Sequence, residues 1–592
     1  MKALLTATLL AFSAVSAAQA PSVTPQQVEA LMALAKTYGV VRYFHPSDSL
    51  DQVKWGPFLV HAAGHMAAAP GAASIGPRLE ELFTPVATGF RVAPPGEAIV
   101  PPQGEGPRVE WRHLGYGLET DASMPYASWR THHQPLREGR IKGGYFQHRA
   151  AAEQAIHAEP VMRVPVAQGL EAHIPVSLPM SAAKVDDAQK ARLGALDKAL
   201  AGVETGPDTV TRAHAHADGI AAWNVARHFF PYWDDVKVDW EGALRAWLAA
   251  QPATQTRAQL RDQLRRLTAP LDDGHASIAD VQDKTPRAFL AISIRPLGKL
   301  WVVEASRVPE HVRVGDVLTA IGGKPAGAWF EERLALVSGS PHHKRWRVRS
   351  ELMVGTRGAS VRLKLARGAQ VVEVEMAYAA ARPLQAARPA AIHEVRPGIH
   401  YVDITRFDKA AFDKALETLK GAKGIIFDAR GYPGRDAVTL VPYWLTGADP
   451  AQWMFVPRYD KPFAQSTTAW SFGWQLQRDP ALEKPAKALL TDGRTISYAE
   501  SLAAYFPAQK TGPVVGERTA GANGNVARAT LPSGMSFFFS SMRVTLHDGA
   551  TSVHGKGITP DAPASPTVEG IRAGRDEVLE HAIGQLERRA PR

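Results

Sequence analysis

Residues 489–525 read LLTDGRTISYAESLAAYFPAQKTGPVVGERTAGANGN. The apolar run Ala488, Leu489, Leu490 predicts a buried strand, and Thr491, Asp492, Gly493 and Arg494 predict a turn. Ser497 then stands where a helical pattern begins, with Glu500 three residues later and apolar Leu502, Ala503 and Phe506 following. Serine at a helix start with glutamate three positions on is a capping box. The same placement beyond a strand exposes a hydroxyl that can act as a nucleophile, provided that a base lies nearby. A base is offered far upstream by LDDGHASI, residues 271–278, where His275 follows Asp272, Asp273 and Gly274.

Around this stretch the pattern is β-α-β. Residues 399–404 predict a strand, 409–419 a helix and 424–427 a buried strand, followed by the turn-rich loop DARGYPG at 428–434. Strands alternating with helices imply an α/β domain whose sites sit at the C-terminal ends of the strands. In that frame the N–H of Tyr498 is one oxyanion donor. The N–H of Gly434, whose loop also ends a strand, is a second.

Residues 286–378 have another texture. Strands are predicted at 288–294, 300–305, 361–365 and 371–376, with VRVGDVLTAIGGKPA at 312–326 between them. A Gly-Asp turn into an apolar strand, then Gly-Gly-Lys-Pro, resembles the central signature of a PDZ domain. Such domains bind extended peptides at a sheet edge; the glycine loop that captures a C-terminal carboxylate is not recognisable here.

The N-terminal half is more helical. Residues 24–58 predict a helix and turn, echoed at 219–240, where Arg42, Phe44, Pro46 and Trp55 recur as Arg227, Phe229, Pro231 and Trp240. Aromatics beside a helix-ending proline read as packing. Residues 89–178 lack helical periodicity and predict a small β-rich insert, with a further helix over 186–200.

The 592-residue chain carries a net charge of +10 with its basic residues scattered, so no nucleic-acid surface is expected. Lys2, the apolar run 3–15 and Ala18-Gln19-Ala20 read as a signal peptide, and no later stretch is apolar enough to span a bilayer. A periplasmic or secreted location is expected. Without cysteine there is neither a disulfide nor thiolate chemistry. The pairs His132-His133, His214-His216 and His342-His343 lack the spacing of a metal motif, and no nucleotide-binding loop or G-x-S-x-G elbow occurs. No metal or cofactor is expected.

Taken in order, four motifs resemble the tail-specific, or C-terminal processing, serine protease family, including its tricorn-core branch. They are Asp428 to Gly434 (D-x-R-x-x-P-G), Ser497 to Glu500 (S-x-x-E), Val515-Gly516-Glu517-Arg518-Thr519-Ala520-Gly521, and Gly557-Ile558-Thr559-Pro560-Asp561. The resemblance runs from about residue 267 to the C-terminus. It implies a multidomain α+β chain with a ClpP/crotonase-like α/β protease core and a polypeptide substrate. The expected division is a signal peptide (1–20), a helical segment (21–85), a β-rich domain (86–182), a helical segment with the DGH motif (183–285), a PDZ-like domain (286–380) and the catalytic domain (381–592).

The resemblance also sets the mechanism. Family members with a Ser–Lys dyad carry the lysine where this chain has Ala522, whereas His275 matches the histidine base of the tricorn-like branch. The expected catalytic set is Ser497, His275, Glu500, Gly434 and Tyr498. That branch places a glutamate near the position of His554 and a serine where this chain has Gly274. Asp272, Asp273, Glu500, Ser277 and His554 therefore all stand as candidates for the group that orients the base, and His554 also as a rival base. The contrasting function is a catalytically inactive protein that binds a peptide or lipophilic ligand on the same scaffold.

Overall fold

The computed structural model describes residues 23–589, except 70, 120–124, 133–156, 450–451 and 465. The signal-peptide reading at 1–20 and His133 lie outside the described residues.

The strand predicted around Leu489 is Ala486–Thr491, the centre of a six-stranded sheet. Its order is Ile392–Arg396, Ile399–Asp403, Gly424–Asp428, Ala486–Thr491, Val514–Gly516 and Ala562–Pro563. The first pair is antiparallel and every later pair is parallel. Both faces are apolar, as a parallel sheet requires. Val402, Ile425, Phe427 and Leu489 pack under the helices Lys409–Lys420, Tyr498–Ala503 and Tyr505–Gln509. Tyr401, Ile426, Leu490 and Val515 face the helix Glu577–Arg589.

The DxR motif locks these two layers together. Arg430 donates to both oxygens of Asp428 at 3.0 and 2.7 Å and to both oxygens of Asp576 at 2.9 and 2.6 Å. Although Asp428 is fully buried, its guanidinium neighbours Arg430 and Arg388 hold its carboxyl well below the usual range.

Residues 286–380 form an antiparallel β unit with its own core. Its strands run Ile292–Leu297, Leu300–Ser306, Val317–Ile321, Ser360–Arg367 and Gln370–Ala377 in sheet order. The helix Pro341–Val348, which the strand-rich reading of this segment does not anticipate, packs beside the edge strand Ile292–Leu297.

The N-terminal echo is a pair of packed helix–turn–helix units. Pro25–Phe44 and Trp55–Ala67 lie against Arg212–Phe229, which Trp240–Ala249 follows. A Cβ on Gly39 would lie 1.9 Å from Asn224 Oδ1, so glycine is what lets the two long helices approach. Asn224 seals the contact by donating to the Ala35 carbonyl at 2.9 Å.

The β-rich segment is not a free-standing insert. Trp111–Leu114 and Ala127–Arg130 share a sheet with Met454–Arg458 and Thr467–Phe472 from the C-terminal half. Its apolar side chains belong to one core with both helical units and with residues 527–544. Alternation along the chain reveals a strand but not a partner more than 300 residues away.

The DGH loop is placed by the same long-range pairing. Ser277–Ala279 pairs antiparallel with Ser536–Ser540, Ser277 opposite Phe538, and Ser536–Ser540 pairs onward with Val526–Thr530. This small sheet brings residues 273–279 against the segment that follows Gly521.

Candidate active site

Ser497 stands at the turn between the sheet's central strand and the helix Tyr498–Ala503, with φ 58° and ψ −118°. An L-residue pays about 1–3 kcal/mol for such a conformation, which persists only where surrounding bonds enforce it. They do so here: the Ser497 N–H donates to the Ala522 carbonyl at 2.9 Å, and the Ser497 carbonyl accepts from the N–H groups of Glu500 and Ser501 at 2.8 and 3.0 Å. A serine held at positive φ between a strand and a helix is the geometry by which a nucleophile elbow presents its hydroxyl.

Glu500 organises the surrounding loop. Its buried carboxylate accepts from Thr519 Oγ1 at 2.5 Å, from the N–H groups of Gly521 and Ala522 at 2.8 and 2.9 Å, and from the Ser497 N–H at 3.4 Å. Glu500 therefore ties the 519–522 segment to the serine turn and makes no bond to His275.

His275 is oriented by a different pair. Its Nδ1 lies 2.8 Å from Ser540 Oγ, and Ser540 Oγ donates to Asp273 Oδ1 at 2.9 Å. The Ser540 N–H donates to Asp273 Oδ2 at 2.7 Å, and the His275 N–H to Asp273 Oδ1 at 2.9 Å. Because the serine proton is spent on the carboxylate, Ser540 Oγ accepts from Nδ1–H. That assigns the tautomer and leaves the Nε2 lone pair free. Among the described residues Nε2 has no protein hydrogen-bond partner. Burial lowers the imidazole pKa from its usual value; Asp273 opposes this, while Arg347 and His554 add to it.

The other candidates are engaged elsewhere. Asp272 takes a left-handed turn and pairs with Lys344 at 3.0 Å. Ser277 Oγ faces the His275 carbonyl at 3.4 Å rather than the ring. His554 is buried, stacked on Tyr232 with ring centroids 4.2 Å apart, and its Nε2 meets the Leu271 carbonyl at 3.1 Å. Of the paired histidines, His214 contacts the Glu204 carbonyl and His343 that of Gly493, each through one ring nitrogen.

The two halves of the site meet at Ala522 and Gly274. A Cβ on Gly274 would lie 2.6 Å from Ala522 Cβ. His275 is thus one residue from a residue in van der Waals contact with Ala522, and the carbonyl of Ala522 holds Ser497. A cleft of about 530 Å³ opens alongside, with both His275 and Ile496 in its lining.

The expected oxyanion donors fare differently. Tyr498 N–H has no protein acceptor among the described residues, and its phenol is fixed by the Val438 N–H at 2.7 Å. Gly434 does not fit: its N–H donates to the Ile404 carbonyl at 3.0 Å, because the 431–434 loop folds back on the strand end at 403–404. Ser540 is the residue that sequence reading missed. No local motif surrounds it; only the pairing register, continued two residues from Ser277 and Phe538, sets it opposite His275.

Residues 398–564 match the model of peptidase family S41. Among solved structures the chain is similar to mature CPAF, at 13% identity and a TM-score of 0.51, covering 64% of this chain and 99% of that one. CPAF complexed with lactacystin gives 12% identity, the same TM-score and the same coverage. Photosystem II D1 C-terminal processing protease matches at 18% identity over 61% of this chain and 97% of that one, with a TM-score of 0.36. The CPAF likenesses speak to fold alone. No curated protein matches the sequence significantly. Over residues 398–564 this chain carries a peptidase family S41 domain, and it is a serine-type peptidase.

Proposed function

We propose that this chain is an exported endopeptidase that cleaves polypeptides through an acyl-enzyme on Ser497, with His275 as general base. The observation that carries this reading is the Asp273–Ser540–His275 chain of hydrogen bonds, which leaves Nε2 without a protein partner among the described residues. In the proposed reaction Nε2 takes the Ser497 proton as Oγ adds to the scissile carbonyl. It then returns that proton to the leaving amine, and water repeats the sequence to release the acyl group. Asp273 acts through Ser540 to keep the proton on Nδ1 and to stabilise the imidazolium. The Tyr498 N–H faces the developing oxyanion. Strain stored at Ser497 favours catalysis over passive binding, since a binding scaffold gains nothing from a hydroxyl held at positive φ.

The β unit at 286–380, with its PDZ-like signature, is proposed to present the polypeptide to this site. The sequence at 1–20 supports export, and no helix among the described residues is long and apolar enough to cross a membrane. A serine-directed fluorophosphonate probe tests the assignment: wild type is expected to label and Ser497→Ala is not. Equal labelling of both, or none of wild type, refutes it. The N-terminal residue of the exported chain, expected to be Pro21, tests export separately.

A further inference from the structure

The cleft beside His275 is built from both domains. Arg347 from the helix Pro341–Val348 and Arg349 just beyond it line one side, Arg494 from the serine turn lines another, and Trp346 and Leu384 add apolar surface. No acidic side chain is among its lining residues. The three guanidinium groups are not equivalent. Arg349 pairs with buried Glu304 at 3.2 Å, and Arg494 grips Asp492 through two nitrogens at 3.0 and 2.6 Å. Arg347 forms no ion pair among the described residues. Its Nη1 donates to the carbonyls of Gly274 and Ser338 at 2.7 and 3.3 Å, and among the described residues Nε and Nη2 have no hydrogen-bond acceptor.

A half-buried guanidinium with no salt-bridge partner is costly, and desolvation drags its pKa below the usual value although the charges of Asp273 and Glu351 act against it. Its planar fork matches a carboxylate, which would neutralise it while accepting two parallel bonds. The volume of about 530 Å³ accommodates one or two side chains of a substrate. The bond from Arg347 to the Gly274 carbonyl sets this charge one residue from the base, so whatever it holds lies next to the reacting peptide bond.

We propose that this cleft is a carboxylate-binding subsite anchored by Arg347, so that the enzyme favours polypeptides with a carboxylate adjacent to the scissile bond. This rests on the peptidase reading above. The carboxylate has two sources, the side chain of Asp or Glu within a chain, or the free C-terminus of a single departing residue.

Fluorogenic peptides identical except for Glu or Gln on either side of the cleaved bond, each with a free or an amidated C-terminus, test the subsite and tell the sources apart. Wild type is expected to favour one carboxylate-bearing member in kcat/KM by about tenfold or more at low salt. A ratio that survives amidation assigns the side chain, and one that amidation abolishes assigns the C-terminus. Arg347→Gln should collapse the ratio, and Arg347→Lys should restore part of it. Equal rates across the set, or an unchanged ratio in Arg347→Gln, overturn the proposal while leaving the peptidase assignment intact. The same peptides bound to Ser497→Ala, followed by fluorescence anisotropy, report the preference without turnover. Equal affinities there overturn it even if fluorophosphonate labelling fails and the chemistry proves to be of another kind.

Discussion

Gly274 and Ala522 are in mutual steric lock: a Cβ on the glycine would sit 2.6 Å from the alanine methyl and 3.1 Å from the His343 ring. These are two of the three positions, His554 being the other, at which the chain departs from the family pattern. A lysine at 522 belongs to a Ser–Lys dyad, and a serine at 274 precedes the histidine in the other branch. Here a serine at 274 has no room, because the Ala522 methyl and the His343 ring occupy the space its Cβ would need. Gly274→Ser is therefore expected to cost about 1–3 kcal/mol through overpacking and to lower kcat by shifting His275. Ala522→Lys is expected to abolish turnover rather than create a lysine base. Urea midpoints and fluorogenic assays check both.

Replacing Ser497 by glycine should stabilise the fold while abolishing activity. Glycine adopts positive φ without a Cβ penalty, so relief of about 1 kcal/mol is expected, partly offset by its looser unfolded chain. Thermal unfolding of Ser497→Gly beside Ser497→Ala isolates the backbone term, since alanine keeps the strain. A midpoint for glycine below that of alanine would contradict it.

The relay through Ser540 has a kinetic signature. Because burial lowers the His275 pKa, the acid limb of kcat/KM is expected below pH 6.5. Asp273→Asn removes the charge that holds this pKa up, so the limb should move to still lower pH while kcat falls by about 10²–10⁴ through loss of the tautomer. Ser540→Ala should cost about 10–10²-fold, with Ser540→Thr recovering part of it. Loss of activity in Ser540→Ala without any change in the pH profile would reduce Ser540 to a packing residue.

Acid should unfold this protein early. Burial pushes His45, His113, His216 and His343 each down to about 4, against an unfolded value of about 6.5. Between those values the unfolded chain binds protons that the folded chain refuses. Stability is then fully present above pH 6.5 and is lost as pH falls toward 4. Urea midpoints at pH 7, 5.5 and 4.5 should decline in that order, and His216→Gln should flatten the slope by one proton's share.

Much of the catalytic domain was readable because its signals are local. The run around Leu489, the helix from Lys409 and the turn before Ser497 each declare themselves within a dozen residues. His275 was singled out by the DGH run and by its resemblance to a branch histidine. What stayed hidden depends on register: Ser540 reaches His275 through a sheet whose strands lie 265 residues apart, and nothing in SFFFSS marks one serine over another. The β-rich segment misled for the same reason, since its strands finish a sheet begun near the other end of the chain. Gly434 misled differently. Its motif was read correctly, but the direction of an N–H is a property of loop closure, and here it turns to Ile404.

That 265-residue gap also sets a clock. A ribosome adding about 5–20 residues per second makes His275 roughly 13–50 s before Ser540. Throughout that interval the imidazole has no Ser540 to fix its tautomer, and the Gly521-to-Ala522 turn that shapes the nucleophile is unmade until nearly as late. A chain made in this order holds no complete relay until Ser540 has been added.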